Sequence, residues 1–370
     1  MKLMASLKKV QVKAMKDRFV GCLLGGAAGD ALGGSVEFMS RDAILERFGP
    51  AGISSYAPAY GGIGTITDDT QMTLFTAEGV LRAWLRDCDG GISCFAASTA
   101  RAYLRWLITQ GEQPRHGVLA MSERSSWLSS HRELHSRRAP GNTCVSALRT
   151  TTRPGTAATN NSKGCGGVMR AAPIGLFAAR AEWSAPGTFE LGTAIAALTH
   201  GHPSGSLPGG VLAVMVRECV EGATLDAAVA AAKDLLRTKR EHEETLAAIE
   251  LAEKLASDGI AADEAISRIG GGWVGEEALA ISIYCALVAD DFEHGVVLAV
   301  NHGGDSDSTG SITGNLLGAR DGSGVIPERW LEPLELRDVI TEVASDLYDF
   351  VDWELDAPVA ARYAGFKSAV

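Results

Sequence analysis

The chain lacks long apolar runs and any motif that cradles nucleotide phosphates. Its hydrophobic stretches fall short of the ~20 residues that a membrane-spanning helix needs. The start of the sequence has no long apolar core followed by a small-residue cleavage site, so we do not expect secretion. No P-loop sequence occurs. With 46% hydrophobic and 21% charged residues over 370 positions, the composition is that of a soluble globular protein, and we expect no contact with a membrane.

The cysteines show no spacing that is typical of disulfide-bonded or zinc-binding proteins. The seven cysteines are an odd number and form no C-x-x-C pair. That pattern argues against a disulfide framework and against a structural zinc site. We therefore expect a protein of the reducing cytoplasm.

Positive charge is scarce except at the start of the chain. The formal net charge is -11, and an acidic body of this kind is a poor nucleic-acid binder, so we expect no nucleic-acid partner. Residues 1–19, however, carry six basic side chains against Asp17 alone. We expect residues 1–17 to be a basic arm, either a solvated tail or an element that docks on an acidic partner. Residues 18–355 would form the main domain, and residues 356–370 a C-terminal tail.

The hydrophobic pattern is helical along most of the chain, and alternating strand patterns are hard to find. The segments with the clearest helical periodicity are 70–86, 209–221, 225–237, 243–257, 276–289 and 335–353. Residues 110–163 are polar and irregular, which indicates a loop region lining a cleft. The sequence therefore predicts a single all-α, multi-helix domain.

Two clusters of aspartate and hydroxyl residues each precede an apolar helical segment. The first cluster is Thr67-Asp68-Asp69-Thr70, which follows a glycine-rich turn at residues 61–64. Such residues commonly cap helix N-termini, and capping alone would explain a single aspartate. Two adjacent carboxylates repel each other when buried and need a countercharge, which a cation supplies.

The second cluster is Asp305-Ser306-Asp307-Ser308. An EF-hand loop would require a glutamate at its twelfth position, where Leu316 stands, so that interpretation fails. Four carboxylates and several hydroxyls on two helix N-termini are hard oxygen ligands that suit Mg²⁺, Mn²⁺ or Ca²⁺. They predict a dinuclear centre with two divalent cations ~3.5–4 Å apart, as in two-metal hydrolysis.

A third segment, residues 25–38, combines small residues with two acids. Its glycines and alanines permit close approach of backbones. Asp30 is a candidate structural residue near the metal ligands. Glu37 is a candidate acid/base or water-positioning group, although a surface glutamate is an equally simple interpretation.

Together these motifs resemble those of a known family. The segments GDALGGSVEFM, TDDTQMTL and GGDSDSTGSITGNLLGA are similar to three signature regions of the ADP-ribosylglycohydrolases, and PGNT, GCGGVMRAAPIGL and LTHGHPSG also match. The resemblance covers residues 18 to 352. It implies an all-α fold and a two-metal centre, usually with Mg²⁺ or Mn²⁺.

The resemblance also implies roles for individual residues. The implied metal ligands are Thr67, Asp68, Asp69, Asp305, Asp307 and Ser308, and the implied catalytic groups are Glu37 and Asp69. The implied substrate-binding residues are Asn142, Asn161, Ser162, Lys163, Gly164, Cys165, Gly166 and His200. Members of the family often have asparagine where Cys165 stands, and a mechanistic aspartate near the place of Asn142. His200 could equally be a packed or capping histidine.

The implied reaction is hydrolysis of the bond between ADP-ribose and a protein side chain, through an oxocarbenium-like transition state. The resemblance favours arginine as the modified residue, with serine as the second choice. An alternative function is an immunity or binding protein that blocks an ADP-ribosylating toxin through its N-terminal arm. A metal-dependent phosphatase or nuclease is a third class, but the chain offers neither a P-loop nor a basic groove.

Overall fold

The structure, a computed structural model, describes residues 2–91, 94–354 and 357–363, with side chains from Lys13 onward. The α-helices of the first half are α1 (Lys2–Gly33), α2 (Arg41–Phe48), α3 (Asp68–Cys88), α4 (Phe95–Thr109), α5 (Asn142–Thr150), α6 (Ala172–Arg180) and α7 (Ala185–Ala196). Those of the second half are α8 (Pro203–Glu221), α9 (Leu225–Leu236), α10 (Glu243–Ser257), α11 (Ala262–Ile269), α12 (Gly275–Val288), α13 (Phe292–Val300), α14 (Ser306–Asp321), α15 (Glu328–Leu331), α16 (Arg337–Asp349) and α17 (Pro358–Tyr363).

The predicted all-α fold is confirmed. Within the described ranges the chain forms no strand, and only two isolated bridges occur, between Ala59 and Gly62 and between Gly164 and Val274. None of the described helices is both long and apolar enough to cross a bilayer.

The predicted helical segments coincide with α3, α8, α9, α10, α12 and α16. The prediction of an irregular stretch from 110 to 163 is wrong over Asn142–Thr150, where α5 forms. Its apolar residues Cys144, Val145 and Leu148 are buried at helical spacing, a signal too short to stand out in sequence. The rest of the stretch contains three short 3₁₀ turns: Met121–Glu123, Leu128–Ser130 and Arg132–His135.

Helices α1 and α14 form the closest pair in the fold. Their glycines recur every four residues and face one another, so that Gly21 lies against Gly318, Gly25 against Gly314, and Gly29 against Gly310. At each step a β-carbon would fall within 2.6 Å of a carbonyl oxygen of the opposite backbone. The two backbones therefore touch directly, as in small-residue helix pairs. We call this arrangement the glycine ladder; it holds the end of α1 beside the start of α14.

One hydrophobic core includes residues from Phe19 on α1 to Tyr363 on α17. The position taken as the end of the N-terminal arm, residue 17, falls inside α1, which is continuous from Lys2 to Gly33. Near that position Lys16 pairs with Asp349 at 2.5 Å, and Asp17 accepts a hydrogen bond from Ser323. The side chains of Lys2, Lys8 and Lys9 lie outside the described residues. Most of the proposed C-terminal tail does as well, apart from 357–363.

Candidate metal centre and active site

Both aspartate clusters begin helices. Thr67 is the N-cap of α3, and its hydroxyl accepts the backbone N–H of Asp69 at 3.3 Å. Asp305 is the N-cap of α14 and accepts the N–H of Ser308 at 3.4 Å. Capping therefore explains part of both motifs, as residues of these types do at helix starts. It leaves unexplained the burial of further carboxylates in the same place.

Asp30 ties the end of α1 to the start of α3. Its buried carboxylate accepts hydrogen bonds from the backbone N–H and the hydroxyl of Thr67, and from the same two groups of Thr70. With both oxygens engaged by these donors, Asp30 is a structural anchor that fixes the rotamer of Thr67 and the direction of the first turn of α3.

The carboxylates of the two clusters converge in a buried space together with Glu37. One oxygen each from Glu37, Asp305 and Asp307 lies within 4.8 Å of the others. Asp68 and Asp69 are also buried, with 4% and 2% of their surfaces exposed. We call Glu37, Asp68, Asp69, Asp305 and Asp307 the acidic cluster. The sequence predicts that Glu37 is a catalytic group near the metal ligands. In the structure its carboxylate is close enough to those of Asp305 and Asp307 for the three to bind the same ion.

The chemistry of this donor set fits a divalent cation. Burial, followed by the charge of Asp307, raises the pKa of Asp68, Asp69 and Glu37, the last to about 10. Burial removes these carboxylates from water, and the repulsion between neighbouring negative charges adds to the rise in pKa. Oε2 of Glu37 and Oδ1 of Asp69 are buried and accept no hydrogen bond from the described part of the chain. A hard cation would satisfy both the charge and the unpaired oxygens.

Cys165 lies against the acidic cluster. Its thiol donates to Oδ2 of Asp305 at 2.7 Å, and its backbone N–H donates to the carbonyl of Trp273. The sequence placed Cys165 in the substrate-binding loop where relatives often carry asparagine. Here a thiol stands next to an implied metal ligand, and burial raises the pKa of that thiol well above its usual value.

The other residues of the predicted substrate loop contact α5, α10 and the segment directly before α12. Ser162 hydrogen-bonds Thr143 at 3.0 Å, and Lys163 forms an ion pair with Glu244 at 2.6 Å. Gly164 bridges to Val274, Gly166 is buried next to the ring of His200, and Asn161 is exposed. Asn142, the first residue of α5, is also exposed, and its neighbour Gly141 donates to Asp68 at 3.4 Å. Their assignment to substrate binding stays a prediction.

His200 is packed beneath that loop. It is 1% exposed, and its Nδ1 lies 2.8 Å from the hydroxyl of Thr199, which also accepts from Arg170 at 2.6 Å. Burial and the positive charge of Arg170 lower the pKa of His200 to about 3. The ring is therefore neutral and supports the loop through Gly166. This geometry is that of the packed histidine considered from the sequence.

Sequence reasoning missed an ion pair that positions the first cluster. Arg138 forms an ion pair with Glu335, and both residues hydrogen-bond the backbone of Ile66, which directly precedes Thr67. Arg138 donates to the carbonyl of Ile66 at 2.8 Å, and Glu335 accepts the backbone N–H of Ile66 at 3.3 Å. The residues are 197 positions apart, and no motif in the sequence links them.

The structure is thus an all-α protein with a buried cluster of carboxylates at the starts of two helices. The sequence pattern of the ADP-ribosylglycohydrolase family matches residues 11–355. The chain belongs to the ADP-ribosylglycohydrolase family, whose members are hydrolases of glycosidic bonds to ADP-ribose.

Individual relatives cover most of the chain. An uncharacterized protein of Archaeoglobus fulgidus is 30% identical over 349 residues, which are 90% of this chain and 97% of that protein. The ADP-ribosyl-[dinitrogen reductase] glycohydrolase of Rhodospirillum rubrum is 27% identical, over 88% of this chain and 92% of its own. The ADP-ribosylarginine hydrolase Tri1 of Serratia proteamaculans is 25% identical, over 90% and 79%. A solved ADP-ribosylglycohydrolase-related protein complex superposes with a TM-score of 0.66 at 26% identity, covering 91% of this chain and 99% of that chain.

Proposed function

We propose that this protein is a metal-dependent hydrolase that removes ADP-ribose from modified protein side chains, with arginine as the modified residue. The observation that carries the proposal is the acidic cluster, in which the buried carboxylate that follows α1 converges with those at the starts of α3 and α14, and in which Glu37 and Asp69 each have an oxygen without a hydrogen-bond partner among the described residues. Membership of the family supplies the substrate class.

The proposed cation ligands are side chains at the N-termini of α3 and α14. These side chains are Thr67, Asp68, Asp69, Asp305, Asp307 and Ser308, and Glu37 is close enough to contribute an oxygen. Two divalent cations, Mg²⁺ or Mn²⁺, suit this all-oxygen set. When bound, such cations orient hydroxyl groups and lower the pKa of coordinated water.

The side chains of the site have separate tasks in the reaction. The carbon–nitrogen bond at C1 of the ribose breaks as positive charge develops on the ring, and nearby carboxylate oxygens stabilise that charge. A water molecule adds to C1, and Glu37 or Asp69 accepts its proton, because each carboxylate has two oxygens and can offer one to a cation and the other to the water. The arginine side chain leaves as a neutral guanidine, and it becomes a guanidinium by taking up the proton that Glu37 or Asp69 removed from the water.

Arginine is preferred over serine for two reasons. The named relatives from Serratia proteamaculans and Pseudomonas putida are ADP-ribosylarginine hydrolases. The modified guanidinium is also already positively charged at neutral pH, so it can leave as a neutral guanidine without first receiving a proton, whereas a serine oxygen needs a proton from the protein to leave.

The test measures release of ADP-ribose from an arginine-modified protein with Mg²⁺, with Mn²⁺ and with EDTA. We expect chelation to abolish turnover and Asp68→Ala to reduce it about 100-fold or more, since a bound cation contributes several kcal/mol to the transition state. Asp258→Asn, an exposed carboxylate at the end of α10, is the matched control and should leave turnover unchanged.

Calorimetric titration with Mn²⁺ separates loss of the cation from loss of fold. Asp68→Ala should bind Mn²⁺ more weakly while keeping the helical circular dichroism of the wild type. Turnover that survives both EDTA and Asp68→Ala would refute the metal-dependent mechanism. The alternative function, blocking of a toxin by residues 1–17, stays a prediction.

A further inference from the structure

Three exposed aromatic side chains lie near the acidic cluster. Phe38 is 74% exposed, Trp273 46% and Tyr60 39%, and these are the large aromatic residues with the most exposed surface in the described part of the chain. Phe38 directly follows Glu37 in the sequence, and the charge of Glu37 is among the causes that raise the pKa of Tyr60. Single exposed apolar residues are ordinary, but a group of them around a polar cleft marks a contact surface.

Phe38 and Trp273 stack on each other. Their ring centroids are 6.2 Å apart and their planes differ by 20°. The carbonyl of Trp273 accepts the N–H of Cys165, and Cys165 in turn contacts Asp305. The Phe38 ring is therefore close to the carboxylate of Glu37, its neighbour in the sequence. The Trp273 ring is connected to the carboxylate of Asp305 through Cys165. We call this pair the aromatic platform.

The platform has one free face. Trp273 covers one side of the Phe38 ring, and the 74% exposure of Phe38 leaves the other side open to solvent. An open aromatic face beside buried negative charge attracts a flat cation through both the ring quadrupole and the carboxylates. A guanidinium group is flat, cationic and weakly hydrated, and it stacks on aromatic rings.

We propose that Phe38, backed by Trp273, is the surface on which the modified arginine side chain stacks, so that the platform selects the leaving group. This inference rests on the proposed function, because it assigns a place to the arginine side of the bond that breaks. In the proposed function the bond that breaks lies at the acidic cluster, and Glu37 of that cluster directly precedes Phe38 in the sequence. The adenine lies at the far end of ADP-ribose, beyond two riboses and a diphosphate, and so is not the group nearest to Phe38.

The test compares Phe38→Leu and Phe38→Tyr with the wild type on two substrates, ADP-ribosylarginine and an ADP-ribosylserine peptide. Leucine keeps the apolar bulk and removes the ring face, and tyrosine keeps the ring. We expect Phe38→Leu to lower kcat/KM for the arginine substrate about 2–5-fold through KM, the size of an exposed cation–π contact of ~0.5–1 kcal/mol. Turnover of the serine substrate and the Kd of free ADP-ribose should not change, and Phe38→Tyr should behave as wild type.

Val325→Ala is the matched control. Val325 is 39% exposed and follows the C-terminal end of α14, a 16-residue helix about 24 Å long, whose start carries the acidic cluster. Removing apolar surface there should change none of the three measurements.

The outcomes separate the two proposals. Equal losses on both substrates with a weaker Kd for ADP-ribose would mean that Phe38 contacts the ADP-ribose itself, and would overturn the platform. Unchanged kcat/KM for arginine in Phe38→Leu would overturn it as well. Wild-type protein that releases no ADP-ribose from arginine would refute the proposed function and the platform together.

Discussion

Replacing one glycine of the glycine ladder by alanine gives a sharp test of how the site is built. In Gly314→Ala the new β-carbon would lie 2.0 Å from the carbonyl oxygen and 2.5 Å from the carbonyl carbon of Gly25. Ordinary contacts between such atoms are ~3.5–4.0 Å long, so the backbones of α1 and α14 must move apart by about 1 Å or more to admit the new β-carbon. Because the obstacle is backbone, no side chain can turn away to make room.

The expected loss of stability follows from two opposing effects. Overpacking of this kind costs up to about 3 kcal/mol, whereas alanine improves helix propensity over glycine by about 1 kcal/mol. We therefore expect Gly314→Ala to lower the free energy of unfolding by about 2 kcal/mol. The melting temperature would fall by several degrees, on the scale of about 2–4 °C for each kcal/mol in proteins of 150–250 residues. Since α14 carries Asp305 and Asp307 while Glu37 follows α1, Mn²⁺ affinity should fall too.

Gly187→Ala is the matched control for Gly314→Ala. Gly187 is also helical, in α7, and its β-carbon would meet its nearest neighbour, the hydroxyl of Ser184, at 3.4 Å. This variant should be as stable as the wild type or slightly more stable, because it gains helix propensity without a clash. Both variants are measured by thermal unfolding and by Mn²⁺ titration. If Gly314→Ala were as stable as Gly187→Ala and bound Mn²⁺ normally, the reasoning about the glycine ladder would be wrong.

Two further predictions concern residues around the site. Arg138→Met leaves Glu335 without its partner beside Ile66, so we expect the free energy of unfolding to fall by about 3 kcal/mol. We also expect the Mn²⁺ affinity to become about 10–100-fold weaker. A variant with wild-type Mn²⁺ affinity would contradict the positioning role. His200 has its pKa lowered from 6.5 to about 3 by burial and by Arg170, so the unfolded chain takes up a proton below pH 6.5 while the folded protein does not. Its contribution to stability is therefore complete above pH 6.5 and is lost as the pH falls towards 3. In denaturant titrations between pH 6 and pH 4 the wild type should lose up to about 1.4 kcal/mol per pH unit more than His200→Gln, and parallel pH profiles would argue against a buried neutral ring.

The sequence was informative where chemistry and local structure coincide. Thr67 and Asp305 are helix caps, and the carboxylates of the acidic cluster stand at or directly after these caps, so that each motif is contained in four consecutive residues. The small residues of segment 25–34 indicated a close backbone approach, and the structure shows it in the glycine ladder. The all-α fold followed from periodicity alone.

The remainder depends on contacts between distant parts of the chain. Arg138 and Glu335 meet at Ile66 only after folding, and neither residue type is unusual in its local sequence. The burial of His200 could not be inferred either, because histidine is found both in cores and at sites. The exposed stacking of Phe38 on Trp273 depends on the path of two loops, and periodicity says nothing about loops.

The glycine ladder also has a consequence for synthesis of the protein. Helix α1 is complete at residue 33, but α14, the partner that covers its glycine face, begins at residue 306. At about 5–20 residues per second, a ribosome needs roughly 15–55 seconds to make the intervening segment. During that time the nascent chain exposes a helix face with nothing to pack against, and the acidic cluster lacks Asp305 and Asp307, two of its five carboxylates. The acidic cluster can therefore be completed only late in translation, and a chain interrupted before α14 would remain a target for chaperones and proteases.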